Sequence, residues 1–402
     1  MALRPDTPDR TAHLLRSTAA LAAGAFILAV TSMNAVAAPP QVIATEQHRI
    51  AVTTAVGGLD SPWSLAFLPD GRWLVTEKPG RLRVVEFGPD GAARLVAAPV
   101  AGLPPVRASG QGGLLDVTPH PGFAQNRLIY WSYSAGGGDI GTEVARGELK
   151  GGAGEAYRLE KVEVIFRQQP KVSGGRHFGS RLVWDRSGNL FVTLGDRGDQ
   201  DQAQNTANHL GTVVRITDAG KVPADNPFAR GTDAAGRPVL PEIYSFGNRN
   251  VQGAALNPAT GELWAHEHGP QGGDEVNIIR AGRNYGWPVI TYGVNYGIGT
   301  KIGEGTAKPG MEQPLWRWVP SIAPSGMSFY AGSRFPGWKG SLFVGALKDM
   351  SLVRLTLEGN SVVREERIRG LGRLRDVREG PDGNLYVVSE SEGAILRLEP
   401  AR

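Results

Sequence analysis

The chain has 402 residues, with 43 lysines and arginines against 39 aspartates and glutamates, a formal net charge of +4. Hydrophobic residues make up 41% of it and charged residues 20%, which excludes a disordered chain; the small basic excess, without a basic tract, argues against nucleic-acid binding. Its 55 glycines and 28 prolines are about a fifth of the chain against an average of about 12%; they follow no triplet period and break helices too often for a bundle, so turn-dense β structure is expected.

Residues 1–38 read as a secretory signal. Arg4, Arg10 and Arg16 lie in a polar start, an apolar stretch runs from Thr18 to Val30, and the small residues Ala35-Val36-Ala37-Ala38 follow. Cleavage is expected after Ala37 or Ala38, with export to the periplasm or beyond and no membrane span in the mature chain. The chain has no cysteine, so neither disulfides nor thiolate chemistry enter the argument.

From residue 39 a single pattern recurs: an apolar strand, a turn built on Pro, Asp and Gly, then a second apolar strand. It reads clearly at Ser64–Thr76, Leu182–Thr193, Ala255–Ala265 and Val377–Val388, and more loosely at Leu115–Ser132 and Met327–Gly345. Six hairpin units, each too small to bury its own face, imply radial stacking. Residues 39–402 are therefore expected to form one all-β, six-bladed β-propeller with long insertions, and function is expected in the loops between blades.

Several motifs fail their context. Gly136-Gly-Gly-Asp-Ile-Gly141 fits a dinucleotide pattern but no helix follows it. There is no Gly-x-Ser-x-Gly elbow and no His-Glu-x-x-His. His266 and His268 fall on one side of a strand and supply at most half a metal site.

Four segments carry groups that a solvated loop does not need. Gly110-Gln111-Gly112-Gly113 displays an amide on a bare backbone, and Gly174-Gly175-Arg176-His177-Phe178-Gly179 sets a histidine among glycines that allow close approach. Of the seven histidines, His177 best suits a general base, the alternative being a structural role. The third segment joins Gly247-Asn248-Arg249-Asn250, His268 to Glu275, and Asn284 to Pro288. Its carbonyls and paired carboxylates suit a hard cation such as calcium, or else a tight turn with a solvated acidic pair. The fourth is cationic: Lys348, Arg373 and Arg375, with Arg249, either surround a polycarboxylate or lie scattered in solvent.

These blocks together resemble the soluble pyrroloquinoline-quinone (PQQ) dependent aldose sugar dehydrogenases, which share a six-bladed propeller with soluble glucose dehydrogenase. The resemblance runs from about Val56 to Leu398. It rests on Gly110–Asp116, His177 with Gly179–Leu182, Leu194-Gly-Asp196, Tyr244–Gly253, Gly269–Glu275, Asn284–Pro288, Trp318–Ser325, Lys348 and Arg373–Asp376.

The resemblance implies that His177 takes the proton of the anomeric hydroxyl while C1 passes hydride to C5 of PQQ, giving a lactone. Gln111 would orient sugar or cofactor, and Arg249 would stabilise charge on the quinone oxygen. Asn250, Lys348, Arg373 and Arg375 would hold the cofactor's carboxylates and edge, with Trp318 and Tyr292 as flat surface. Gly269 and Pro270 would offer carbonyls to Ca²⁺, and Glu275 with the Tyr285 carbonyl a further calcium position. The partners implied are an aldose and an unidentified electron acceptor.

Two departures stand out. Arg176 precedes the base where the glucose dehydrogenase branch has an acid that would orient the imidazole, and His268 replaces an amide. The broader aldose branch is therefore expected, without an orienting carboxylate for His177. The alternatives are a calcium-dependent propeller lactonase and a non-catalytic, exported glycan-binding propeller.

Overall fold

The computed structural model describes residues 40–152 and 154–401; the signal read at 1–38 lies outside the described residues. Six antiparallel sheets succeed one another along the chain, and the helical segments among the described residues are the short turns Phe123–Asn126 and Gln200–Gln204. The fold is a six-bladed β-propeller.

Blades 1 to 5 begin with the strands Pro62–Phe67, Leu114–Pro119, Leu182–Trp184, Val251–Leu256 and Pro324–Phe329, and blade 6 with Leu374–Glu379. These first strands contact one another from blade to blade and so line the axis. The tight hairpins fall where the Pro-Asp-Gly pattern places them. Gly71 (φ +90°) and Gly383 (φ +73°) adopt the left-handed turn conformation that a side chain would strain. The glycine-rich stretch at 136–141 is a hairpin turn in blade 2, where Gly136 pairs with Ile140.

Closure of the ring uses both ends of the described chain. Arg49–Val56 pairs antiparallel with Ala394–Pro400 and completes blade 6, and Gln41–Ala44 adds a fifth strand outside it. Apolar clusters then fill the gaps between neighbouring blades. Trp131 packs with Leu74 and Leu82 between blades 1 and 2, and Trp264 packs with Met327 and Leu342 between blades 4 and 5. No blade has a core of its own, so each is stable only against its neighbours.

At the axis the first strands are tied by charge. Arg181 from blade 3 pairs with Asp116 of blade 2 (3.2 Å) and Asp376 of blade 6 (3.1 Å), all three nearly inaccessible. Arg378 pairs with the same two carboxylates at 3.2 and 2.9 Å. Asp116 also accepts from the Leu182 N–H (2.8 Å) and the Ser64 hydroxyl (2.5 Å), and Asp376 from the Leu65 N–H (3.2 Å). Each carboxylate thus answers main-chain or hydroxyl donors of an adjacent blade.

Asp116→Ala leaves the buried Arg181 and the half-buried Arg378 to one carboxylate, and breaking such a buried pair costs about 3–5 kcal/mol. The midpoint of urea unfolding should fall accordingly with the slope unchanged; an unmoved midpoint would show that the blades do not lean on this network.

Candidate active site

The loops that lead into the first strands meet over one end of the axis, and His177 sits among them on the connection before blade 3. Its backbone is left-handed (φ +55°), a conformation few histidines adopt. Several glycines around it are filled by the protein's own packing, while Gly174 faces open space. A Cβ on Gly195 would lie 2.2 Å from the His177 carbonyl oxygen, and one on Gly110 would lie 2.3 Å from that of Gly175. The Gln111 carboxamide oxygen accepts from the His177 N–H at 2.7 Å.

An orienting carboxylate is present after all, supplied from further along the chain. His177 Nδ1 lies 2.6 Å from Asp196 Oδ1, and the other Asp196 oxygen accepts from Trp287 Nε1 at 2.8 Å. Asp196 is also bonded by the Gly198 N–H, at 2.7 Å. Burial opposes its charge, but the hydrogen bond and charge of His177 outweigh that and hold it below the usual carboxylate range. The ionised carboxylate requires the proton on Nδ1, so Nε2 is the free base nitrogen. Burial is the largest influence on His177 and lowers it; Asp196 raises it, Arg249 and Arg176 lower it, and the balance lies below the ordinary imidazole value. The ring is neutral near pH 7.

Arg249 enters from the connection before blade 4. Its guanidinium donates to the carbonyls of Gly269 (2.8 Å) and His268 (3.2 Å) and lies over the Trp287 ring at 5.4 Å. The Gly269 carbonyl expected to face a cation therefore faces a guanidinium. His268 is bonded to the Pro324 carbonyl at 2.6 Å and burial pushes it down to about 3, so it adds no charge beside Arg249 and His177. His266 is buried with both ring nitrogens unbonded. No third ligand joins the two histidines among the described residues, so they form no metal site.

A hydrogen-bonded chain leads from Gly179, two residues after the histidine, to the cations. Asn250 Oδ1 accepts from the Gly179 N–H (3.1 Å) and from Gln252 Nε2 (3.3 Å), and Gln252 Oε1 accepts from Arg375 (3.1 Å). Arg373 and Arg375 share Glu390, at 2.9 and 3.4 Å, and Arg373 also donates to the Leu347 carbonyl, next to Lys348. Lys348 is exposed and has no ion-pair partner among the described residues. Burial favours the neutral form of Glu390, but Arg375, Arg373 and Lys78 hold it below its ordinary value. Arg375 Nε is buried with no partner. Four cations answered by one carboxylate, with an orphaned donor among them, fit a polycarboxylated ligand such as PQQ.

Below Arg249, Glu267 and Glu275 stand directly opposite each other on adjacent strands, Glu267 buried and Glu275 half-buried. Burial pushes both carboxyls up, and repulsion from Glu267 raises Glu275 further. A cavity of about 10 Å³, the room of one water-sized sphere, lies between them and Tyr285. Two facing carboxyls around so small a space fit a single hard cation, with main-chain oxygens completing its shell.

The two expected flat surfaces are elsewhere. Trp318 ends the outer strand of blade 4, buried in the core between blades 4 and 5, and its Nε1 donates to Glu365 at 2.8 Å. Its alternation on that strand, not a ligand, determines where it points. Tyr292 is covered by Arg317 at 4.3 Å and its hydroxyl donates to Gln313. Asp196, Gln252, Glu267 and Glu390 were not singled out as site residues. Each is one polar residue on or beside a strand, and only Asp196 carried a signal, through its Leu-Gly-Asp block.

A larger cavity, about 740 Å³, opens at the other end of the blades, walled by Asp70, Arg72, Glu86, Tyr157 and Asp382. Those groups are already bonded to one another or to adjacent arginines, and none belongs to the constellation around His177.

A family model described as Glucose / Sorbosone dehydrogenase matches residues 59–397. The aldose sugar dehydrogenase YliI of Escherichia coli is 46% identical over 351 residues, covering 85% of this chain and 91% of that protein. The apo crystal structure of the soluble aldose sugar dehydrogenase from Escherichia coli superposes with a TM-score of 0.80 at 44% identity, covering 88% of this chain and all of that one. The PQQ-bound aldose sugar dehydrogenase from Streptomyces coelicolor gives 0.70 at 28% identity, covering 90% and 99%.

If the Glu267–Glu275 pair holds a cation, millimolar Ca²⁺ raises the melting temperature of the protein and chelator reverses it, by the free energy of binding, about 2.7 kcal/mol at a hundredfold excess over Kd. Glu275→Gln should abolish the calcium increment.

Proposed function

Because the chain belongs to the glucose/sorbosone dehydrogenase family, we propose that this oxidoreductase converts aldose sugars to lactones at the anomeric carbon, with PQQ and Ca²⁺. The observation that carries the reading is the Asp196–His177 pair joined to the Arg375–Arg373–Lys348 edge through Asn250 and Gln252.

His177 acts as the general base. Asp196 fixes the Nδ1–H tautomer and turns Nε2 towards the mouth, where it takes the proton of the anomeric hydroxyl. The imidazolium that forms is balanced by the same carboxylate. The Gln111 oxygen is occupied by the His177 N–H, so its amide N–H₂ is the group left to orient sugar or cofactor. Arg249 is held by two carbonyls and the Trp287 ring before substrate arrives, so it stabilises developing negative charge without reorganising. Lys348, Arg373 and Arg375 would hold the carboxylates of PQQ, and Asn250 its edge. Glu275 and Glu267, with the Tyr285 carbonyl, would hold one Ca²⁺; the Gly269 carbonyl is taken by the Arg249 guanidinium, which leaves the Pro270 carbonyl to face a second. When bound, PQQ supplies a two-electron acceptor for the hydride leaving C1, and calcium the Lewis acidity that polarises it. The leader read from the sequence supports a periplasmic or secreted location.

Addition of PQQ and Ca²⁺ to the apo protein should make reduction of an artificial dye dependent on aldose. His177→Ala should keep the PQQ absorbance change and lose turnover by about 10²–10⁴-fold. No turnover across a panel of aldoses, with PQQ shown to be bound, would refute the activity. Lactone hydrolysis without any acceptor would put a lactonase in its place, and sugar binding indifferent to PQQ and His177 would leave a glycan-binding propeller.

The pH profile gives a separate check. The acid limb of kcat/KM should lie below about 6.5, the ordinary imidazole value. Asp196 raises His177, so Asp196→Asn should move that limb to still lower pH while kcat falls by about 10²–10⁴-fold, since the tautomer is no longer fixed. A limb that stays in place would remove Asp196 from the mechanism.

A further inference from the structure

Asp196 orients the imidazole of His177, and the next residue, Arg197, reaches the backbone from which that imidazole projects. Arg197 is buried, 3% exposed, and among the described residues its guanidinium is bonded by carbonyls rather than by a carboxylate. It donates to the carbonyl of Arg176, to that of Gly174 at 2.8 Å and to that of Ile140 at 3.4 Å. Its face lies against the Phe178 ring, 3.5 Å from the centroid. Two of these contacts bracket His177, one on the residue before it and one on the residue after it.

The peptide group that joins Arg176 to His177 is therefore held on both sides. Its C=O accepts from Arg197, and its N–H donates to the Gln111 carboxamide at 2.7 Å. Holding that peptide holds the left-handed backbone of His177 (φ +55°), and Arg197 is itself left-handed (φ +58°). Outliers of this kind persist where the surroundings over-determine them, and they gather at sites whose geometry matters. Burial lowers Arg197 to about 10 while the charge of Asp196 supports it, so the guanidinium is cationic at neutral pH. A planar fork of donors meets several carbonyls and an aromatic face together, which the single ammonium of lysine does not.

We propose that Arg197 is a positioning residue for the base: Asp196 and Arg197, consecutive on one turn, clamp the ring and the backbone of His177 respectively, so that Nε2 is aimed at the sugar hydroxyl. The inference rests on the PQQ dehydrogenase reading above, in which His177 is the base. Arg197 acts through His177, and its hydrogen bonds go to none of the residues on the cofactor edge. The charged and titratable groups that face the imidazole are Asp196 and Arg197 from the turn after strand Asn189–Thr193, Arg176 from its own loop, Arg249 from the connection before blade 4, and His268. Of these, Asp196 raises the imidazole.

The test uses the holoenzyme reconstituted with PQQ and Ca²⁺, an aldose and a small artificial dye, with Arg197→Ala, Asp196→Asn and the double variant. Arg197→Ala should lose about 10- to 100-fold in kcat, as a reacting group displaced by about 1 Å does, and keep the Kd for PQQ within about twofold by absorbance titration. Its acid limb of kcat/KM should move to lower pH, because Asp196 then supports the imidazole less well; loss of a nearby cation alone would move the limb upward. The double variant should lie within about threefold of Asp196→Asn, since both substitutions act on one pair. Losses that multiply in the double variant, or a limb that stays or rises, would overturn the clamp and leave Arg197 a purely structural ion. A loss confined to PQQ affinity would assign Arg197 to the cofactor instead. Should Arg197→Ala not fold, Arg197→Lys, which keeps the charge without the fork, takes its place with the same expectations. A second readout needs no turnover: the downfield proton resonance of the His177 Nδ1–H, identified by its absence in His177→Ala, should shift or broaden in Arg197→Ala before sugar is added, and an unchanged resonance would overturn the clamp. Absence of dye turnover in the wild type would sink the dehydrogenase reading and the positioning role with it, and the resonance would then report the contact alone.

Discussion

At the axis the inner strands of the blades leave main-chain donors with no partner in their own sheet. Asp116 accepts from Leu182 and Asp376 from Leu65, so the carboxylates bond across blade boundaries, and Arg181 and Arg378 balance both. Buried ions of this kind contribute little net stability compared with an apolar core, but a single missing partner is expensive. The network therefore works mainly as a registration device. It fixes the rotation of neighbouring blades about the axis, and the catalytic loops are carried on the ends of the strands so fixed.

The position of His177 follows from that registration. Its loop runs through Arg181, four residues further on, into the strand that begins at Leu182. The partner Asp196 lies beyond the next strand, Asn189–Thr193, and the Asp196 N–H donates to the Arg249 carbonyl on the following blade. Base, orienting acid and cation are thus joined through main chain that is itself tied to the hub. Burial of this assembly lowers the imidazole, and the carboxylate limits how far it falls, which keeps a neutral base in reach of a sugar hydroxyl.

Charge at the mouth is arranged in layers. Glu267 and Glu275 lie deepest; burial favours their neutral forms, and the charge of Glu267 raises Glu275 further. Arg249 lies above them, bonded through its N–H to Glu267 and through its guanidinium to the 268–269 carbonyls. Arg375, Arg373 and Lys348 form the edge towards solvent. A ligand that is anionic at its rim and polarised at its base matches that order, and electrostatic preorganisation of this kind costs nothing at the moment of reaction.

The repeated Pro-Asp-Gly hairpins at Leu68–Gly71 and Gly380–Gly383 were legible as blades because turn chemistry and strand alternation are local, whereas the spacing of Lys348, Arg373 and Arg375 left a shared ligand and a scattered solvated set both open. Gln111, His177 and Arg249 stood out because titratable or amide groups on glycine-rich loops have few structural uses. Trp318 was misplaced because an aromatic beside a functional block looks the same in sequence whether it faces a channel or the core between blades. The pairing of His177 with Asp196 and of Glu267 with Glu275, and the closure by Arg49–Val56, were decided only by tertiary structure. Hydrogen bonds between residues on different strands depend on sheet register and blade rotation, and neither is written in the local order of residues.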